Sequence, residues 1–518
     1  MNTLRKTLGL TACLVITPLI AQAQQVTISS KDNAVSIAGQ LLSFDDEVYV
    51  LETDIGVLRL SRTATDCTGE GCPVQTTNLE LAVAVTEPKT ATLLQSIVNG
   101  FAASRDLTGL SVPDANGIVS RIDLQNFQTN TNAGAVDVAL QPTDASFAQL
   151  VSNQVDLTIT KVPVPASIAN NVVASGGTDL RDLSRERVIA LDAVVPIVHP
   201  DNPVRSVSLE ELALIASGRI RNWSELGGDN APIEMLLPAE GSSLDLAFTE
   251  LVLDPNRVRL RRSATRSESE SQAAAAVAQN PNAITVTSLS EAGENDVLPI
   301  RQTCGPLAYA SDFAIKAEEY PLSRRVYAYT GDATPSATGA EFVSFLTSSD
   351  VQPMITDAGY VDQTVVTQPI SLQGTRMTSA ILSASTAGTL GLVQNFSRDL
   401  ATADRLSTTF RFTSGASQLD NKSLEDVSRM VEFLNSPEAR ARDVLVIGFT
   451  DDVGRFDLNE RLALLRATSV RDALVAAIGG DVLAGRIAVS SYGPLAPVGC
   501  NETAEGRESN RRVEIWLR

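Results

Sequence analysis

Gly448-Phe449-Thr450-Asp451-Asp452-Val453-Gly454 follows directly on Val444-Leu445-Val446-Ile447, and this junction decides how the end of the chain is read. Four consecutive apolar residues, three of them β-branched, mark a strand buried on both faces. The Thr-Asp-Asp triplet ends that strand, and Gly454 lets the chain turn. Asp451 therefore stands where a buried strand stops, with its carboxylate opening onto the sheet edge. Leu458, Leu462, Leu465 and Leu474 then recur at helical spacing, and the same helix carries Asn459, Arg466 and Ala467. The turn brings Asp451 and Arg466 towards one pocket. On charge alone, an ordinary strand-helix salt bridge between them is the simpler account.

Outward from that junction the pattern stays regular. Phe410 and Phe412 start an earlier strand, and Leu424, Val427, Met430, Val431 and Leu434 line one helix face. Ile487-Val489 and Val513-Ile515-Leu517 close the sheet, after Gly493, Pro497, Asn501-Glu502-Thr503 and Gly506-Arg507-Glu508-Ser509-Asn510-Arg511-Arg512-Val513-Glu514. Residues 409–518 form one compact α/β unit by this reading.

With its Thr-Asp-x-x-Gly turn, its Asn459, Leu462, Arg466-Ala467 helix and its final Gly-Arg, Asn-Arg-Arg-Val-Glu block in order, this segment resembles the OmpA-like peptidoglycan-binding domain. The resemblance implies a ligand, the diaminopimelate of the wall's stem peptide, with an ammonium and a carboxylate at one end. It implies that Asp451 takes the ammonium and that Arg466 takes the carboxylate as a fork, with Thr450, Asn459 and Arg511 beside them. Phe449 stands where the family often has His, and Ala463 where it often has Ser.

Residues 79–362 alternate strands and helices over a length that suits two lobes. Leu79-Leu81-Val83-Val85 reads as a strand, Ala91 to Ala102 as a helix, and Ser208 as the cap of another helix. The blocks Val188-Ile189-Ala190-Leu191-Asp192, His199-Pro200-Asp201-Asn202-Pro203, Asn222-Trp223-Ser224-Glu225-Leu226 and Glu240-Gly241-Ser242-Ser243 resemble the phosphate-type periplasmic substrate-binding proteins. That resemblance implies a two-lobed type II clamshell with an oxyanion held between the lobes by hydroxyls and helix N-termini. Thr86, Thr143, Ser146, Glu240, Ser242 and Ser243 then fall at the ligand loops. The family's Arg and Asp before the Glu-Gly-Ser turn are replaced by Pro238 and Ala239. Glu87 occupies a loop where Gly, Ser and Thr are usual; ionised, it would repel phosphate unless Lys89 offsets it. Asp144 adds a second carboxylate. A cationic or zwitterionic ligand, or none, suits these residues as well as phosphate does.

Residues 363–408, rich in Thr, Ser, Ala and Gly, read as a linker with some helix near 387–400. Residues 24–78 read as a small β module of short alternating strands. Residues 1–23 read as an export signal: Arg5 and Lys6, an apolar run from Leu8 to Ile20, then Ala21-Gln22-Ala23. A lipoprotein-type cleavage before Cys13 is the competing reading. No later run is apolar and long enough to span a bilayer.

Four cysteines remain after cleavage at Ala23, an even number that points to disulfides in an exported chain. Cys67 and Cys72 bracket a tight loop; Cys304 and Cys500 then pair by default, unless both stay reduced. A zinc site is disfavoured, because His199 is the single histidine. His199 sits in a rigid His-Pro-Asp-Asn-Pro turn, and no nucleophile elbow or phosphate loop accompanies it. The net charge of -20 disfavours nucleic acid and anionic lipid.

Neither an enzyme nor a cofactor is expected. The expected protein is periplasmic and held to peptidoglycan by its C-terminal domain, at the inner face of the outer membrane in one version. It carries a binding-protein fold of open ligand. The alternatives are an oxyanion-binding importer component and a structural envelope linker with a ligand-less clamshell.

Overall fold

The computed structural model describes residues 25–31, 35–44, 48–61, 64–69, 72, 78–261, 264–332, 336–384, 387–412, 414–478 and 485–518. The expected export signal and Cys13 lie outside these residues. The chain divides into two compact units, the second beginning at Asn78. No helix among the described residues is long and apolar enough to cross a membrane.

The first unit is a five-stranded antiparallel sheet in the order Gly56–Ser61, Val48–Thr53, Ser36–Phe44, Gln25–Ser30, Thr65–Thr68. Alternation sends Val26, Ile28, Tyr49 and Leu51 to one face, where they form a small core. Cys67 and Cys72 pack against that core and are joined to each other. A module this small gains from such a staple.

In the second unit, an 11-stranded sheet is organised around the strand Glu186–Val198. Eleven of its thirteen residues, from Val188 onward, are buried, as expected for a near-continuous apolar run covered on both faces. Its first half pairs with Ser323–Thr330, and its second half with Ala283–Ser288. The strand thereby passes from one hydrophobic core into another. The first lobe's core holds Leu94, Ile97 and Phe101 of the helix Pro88–Ala103 against Val83, Ile122 and Val136. The second lobe's core holds Leu212, Trp223, Phe248, Ile284 and Tyr320. Ser208 caps the helix Leu209–Ala216 as expected, accepting from the Glu211 amide at 3.1 Å. Trp223 anchors its block by donating from Nε1 to the Asn282 carbonyl at 3.1 Å.

The C-terminal sheet runs in the order Thr367–Pro369, Asp404–Arg411, Arg512–Leu517, Val444–Phe449, Ile487–Gly493. Helices Asn421–Asn435 and Phe456–Ile478 cover one face through Val427, Met430, Ala467, Val470 and Leu474. The other face corrects the linker expectation for 363–408. That segment is folded: Thr367–Pro369 is a sheet strand, and helices Gly374–Ser383 and Ala387–Leu400 pack onto the sheet. Ala380, Val393, Phe396 and Leu400 meet Leu445, Ile447, Phe449, Tyr492 and Trp516 there. Few apolar residues carry that face, so composition alone hid it. The first strand also begins at Asp404, ahead of the expected start at Phe410.

Candidate functional site

Two clusters of charged side chains stand out in the second unit. The first lies where Val444–Phe449 ends. Thr450 continues the strand by donating its amide to the Gly493 carbonyl at 2.8 Å, and its hydroxyl is buried without a hydrogen-bond partner among the described residues. Asp451 accepts from Arg511 Nη1 at 3.0 Å and from the Val453 amide at 3.2 Å. Asn459, one turn into the helix, donates to the carbonyls of Asp451 and Val453 at 3.3 and 3.1 Å and so holds the loop's shape.

Arg466 is fully buried, with Nε donating to the Ala416 carbonyl at 2.9 Å and its guanidinium 5.1 Å from the Phe412 ring centre. Burial first, then repulsion from Arg511, brings its pKa down to about 10 against the pull of Asp451. The five residues singled out from the sequence thus converge. The correction concerns pairing: Arg511, expected only as a neighbour, is an ion-pair partner of Asp451. Arg466 and Arg511 thus set two guanidiniums beside the Asp451 carboxylate. Such a pocket can take a carboxylate on the guanidinium side and a cation on the open edge of Asp451.

The second cluster lies where the two lobes meet. Glu87 begins the helix Pro88–Ala103 in the first lobe, and Ser243 opens the helix Ser243–Phe248 in the second. The Ser243 hydroxyl donates to Glu87 Oε1. Lys161, just beyond the strand Leu157–Thr160, has Nζ 2.9 Å from Glu87 Oε2 and 3.0 Å from Asp192 Oδ2, and donates to Ser288 Oγ at 3.0 Å. Asp192 and Arg324 are register partners on adjacent strands and pair at 3.1 Å. The Lys161 ammonium also sits 5.1 Å from the Tyr360 ring centre.

All four charges are buried. Burial alone would push the carboxyls of Glu87 and Asp192 up, but Lys161 and Arg324 hold both below the usual carboxylate range. Burial would likewise lower Lys161, yet Asp192 and Glu87 hold it well above the usual ammonium value. Both acids and both bases are therefore charged at neutral pH.

This cluster corrects several expectations. Glu87 is offset by Lys161, whereas Lys89 pairs with Glu291 at 3.6 Å. Asp144 and Glu240 are exposed, so neither carboxylate enters the cluster. The Ser146 hydroxyl donates to the Thr143 carbonyl at 2.7 Å, closing its own helical turn. Ser242 caps its helix by accepting from the Asp245 amide at 3.1 Å. Thr86 Oγ1 is buried without a partner among the described residues. Of the six suggested residues, Ser243 is the one in direct contact with the cluster's charges.

Sequence reasoning missed Lys161 and Arg324. Their signal was weak: a lone lysine just past one apolar strand and one of two adjacent arginines at the start of another, recognisable only once Asp192 is seen to be buried. Cys304 and Cys500 are bonded, joining the second lobe to the C-terminal domain. The Asp201 amide donates to His199 Nδ1 at 3.1 Å, within the expected rigid turn.

Comparison with known proteins divides the chain along the same lines. Residues 116–350 match a PBP superfamily domain, and residues 411–511 match the OmpA family. The phosphate-binding protein PstS of Bacillus subtilis is 30% identical over 190 residues, which is 36% of this chain and 60% of that protein. The probable lipoprotein YiaD of Escherichia coli is 50% identical over 74 residues, 14% of this chain and 32% of that protein. The peptidoglycan-binding protein ArfA of Mycobacterium bovis is 40% identical over 93 residues, 18% of this chain and 26% of that protein. The chain thus spans less than two thirds of each of these relatives. A putative phosphate transporter substrate-binding protein from Clostridium perfringens, solved with phosphate, superposes with a TM-score of 0.41 at 19% identity, over 55% of this chain and 99% of that one.

Proposed function

We propose, for a chain that carries a PBP superfamily domain and an OmpA family domain, that it is a periplasmic protein held non-covalently to peptidoglycan through its C-terminal domain. The observation that carries this reading is the convergence of Asp451, Arg466 and Arg511 at one strand end. In this reading Arg466 receives the carboxylate of a diaminopimelate residue, Asp451 receives its ammonium, and Arg511 orients Asp451. Asn459 and Thr450 shape the loop between them. The binding-protein fold is then the cargo of a wall anchor, and the anchor includes residues 363–408.

Purified peptidoglycan sacculi test the proposal. The mature chain should co-sediment with them, and the Asp451→Ala, Arg466→Ala double variant should stay in the supernatant. Equal retention of both proteins would refute the assignment. An importer component that delivers phosphate is less well supported, because a wall anchor opposes diffusion to the inner membrane and a carboxylate already sits between the lobes. Both matched families contain binding and structural proteins, and we assign this chain no catalysis.

A further inference from the structure

We propose that the Glu87 carboxylate is the built-in occupant of an oxyanion seat between the two lobes, and that it both closes the lobes on each other and excludes inorganic oxyanions. The inference rests on the binding-protein fold of residues 79–362 and not on wall attachment.

The seat is assembled from donors supplied by different elements. Ser243 contributes a hydroxyl from the second lobe, and Lys161 an ammonium from the first. Arg324, 8% exposed, stands behind them with its charge felt by Glu87. Its Nε and Nη1, and the hydroxyl of Tyr360, are buried with no hydrogen-bond partner among the described residues. A cluster that needed only to satisfy its own four charges would not leave three donors over. Donor capacity in excess of two carboxylates suits an anion with more oxygens than a carboxylate has, which is a tetrahedral oxyanion.

Glu87 competes for this seat with an effective concentration that no dissolved anion matches, because it is part of the chain. Ionised and paired, it presents two oxygens where phosphate would present four. A phosphate approaching it meets a buried negative charge already neutralised by Lys161. Removing that carboxylate takes away one of the two carboxylates paired with Lys161, leaving a buried ammonium that shares Asp192 with Arg324. Such a charge costs free energy unless an anion enters. The same contact ties the lobes to each other, since Glu87 and Ser243 belong to different lobes.

Replacing Glu87 by Ser tests this without sacrificing the helix behind it. Glu87 is the N-cap residue of Pro88–Ala103, and Ser is a strong N-cap. Isothermal titration of the full mature chain with inorganic phosphate and with sulfate should give no measurable heat for the native protein. Glu87→Ser should bind at least one of the two anions at least about tenfold more tightly. Adding Lys161→Met to that variant should abolish the gain. Affinities for phosphate and for sulfate that are both equal in the native and Glu87→Ser chains would overturn the proposal. So would a folded Glu87→Ser chain that binds neither anion. Should Glu87→Ser fail to fold in chloride, refolding is repeated in phosphate at equal ionic strength. Recovery in phosphate alone supports the seat, and failure in both salts overturns it. Because sacculi play no part here, failure of this test leaves the wall-anchor reading intact, and the reverse also holds.

Discussion

Glu319 of the second lobe and Arg405 of the C-terminal sheet meet across the junction between their domains, with Arg405 Nη1 2.9 Å from Glu319 Oε2. Arg376 also reaches Glu319 at 2.9 Å, and Glu514 pairs with Arg376 and, at 2.6 Å, with Arg512. Opposing charge decides the protonation of both acids against the effect of burial. Glu514 is brought down to about 2, and Glu319 lies far below the usual range. Glu319→Gln would leave three buried guanidiniums facing one carboxylate. The expected cost is about 3–5 kcal/mol, because breaking a buried network strands a charge. Urea unfolding of the two chains side by side would measure it, and unchanged midpoints would contradict it.

Glu425, on the helix Asn421–Asn435, behaves in the opposite way. Burial, reinforced by Asp426, raises its pKa to about 7 despite Arg429 at 3.5 Å. Its folded-state value lies above the ordinary 4.5, so the folded chain holds a proton that the unfolded chain releases between those values. The contribution of this group to stability therefore falls as pH rises from about 4.5 to about 7. Glu425→Gln should remove that slope and raise stability at pH 8 by about 2 kcal/mol, with little change at pH 4. Melting temperature against pH would reveal the difference.

The Cys304–Cys500 bond closes a loop over a sequence separation of 196 residues. Chain entropy alone assigns such a cross-link up to about 5 kcal/mol, and measured losses for native bridges are commonly about 2–5 kcal/mol. Cys304→Ser with Cys500→Ser should lower stability within that range. The domains should nevertheless stay docked through Glu319 and through Arg411, which donates to the Ala317 carbonyl at 2.7 Å. Limited proteolysis would distinguish docked from separated domains.

Gly448 is required by close approach. A Cβ there would lie 1.9 Å from the Ala463 carbonyl oxygen, a backbone atom that cannot move aside alone. Gly448→Ala should cost about 2–4 kcal/mol. It should also weaken sacculus binding, since the strand ending at Asp451 and the helix bearing Arg466 would be forced apart. Unaltered thermal stability would refute the packing argument.

The terminal pocket was legible because its residues lie within short blocks whose spacing carries meaning. The strand end at Asp451 and the helical placement of Asn459 and Arg466 follow from apolar periodicity. The lobe-to-lobe cluster was only half legible. Glu87 and Ser243 stood out in loops, but Lys161 follows one strand while Asp192 and Arg324 lie on two others, and they meet only because those strands pair across the sheet. No local pattern encodes that meeting. The helix Gly374–Ser383 escaped notice for a different reason, because Gly, Thr and Ser interleave with its few apolar residues and diluted the apolar signal, whereas helix near 387–400 was expected within a segment read as a linker.

The C-terminal domain touches both lobes, but unequally. The second lobe is joined to it covalently at Cys304–Cys500. Towards the first lobe, Asn421 Nδ2 donates to the Arg181 carbonyl at 2.9 Å and to Glu186 Oε1 at 3.0 Å. A mechanical load entering through the C-terminal domain would therefore be borne by a covalent bond on one side and by yielding polar contacts on the other. Under tension the C-terminal domain would part from the first lobe before it parts from the second, while Glu87 and Ser243 keep the two lobes together.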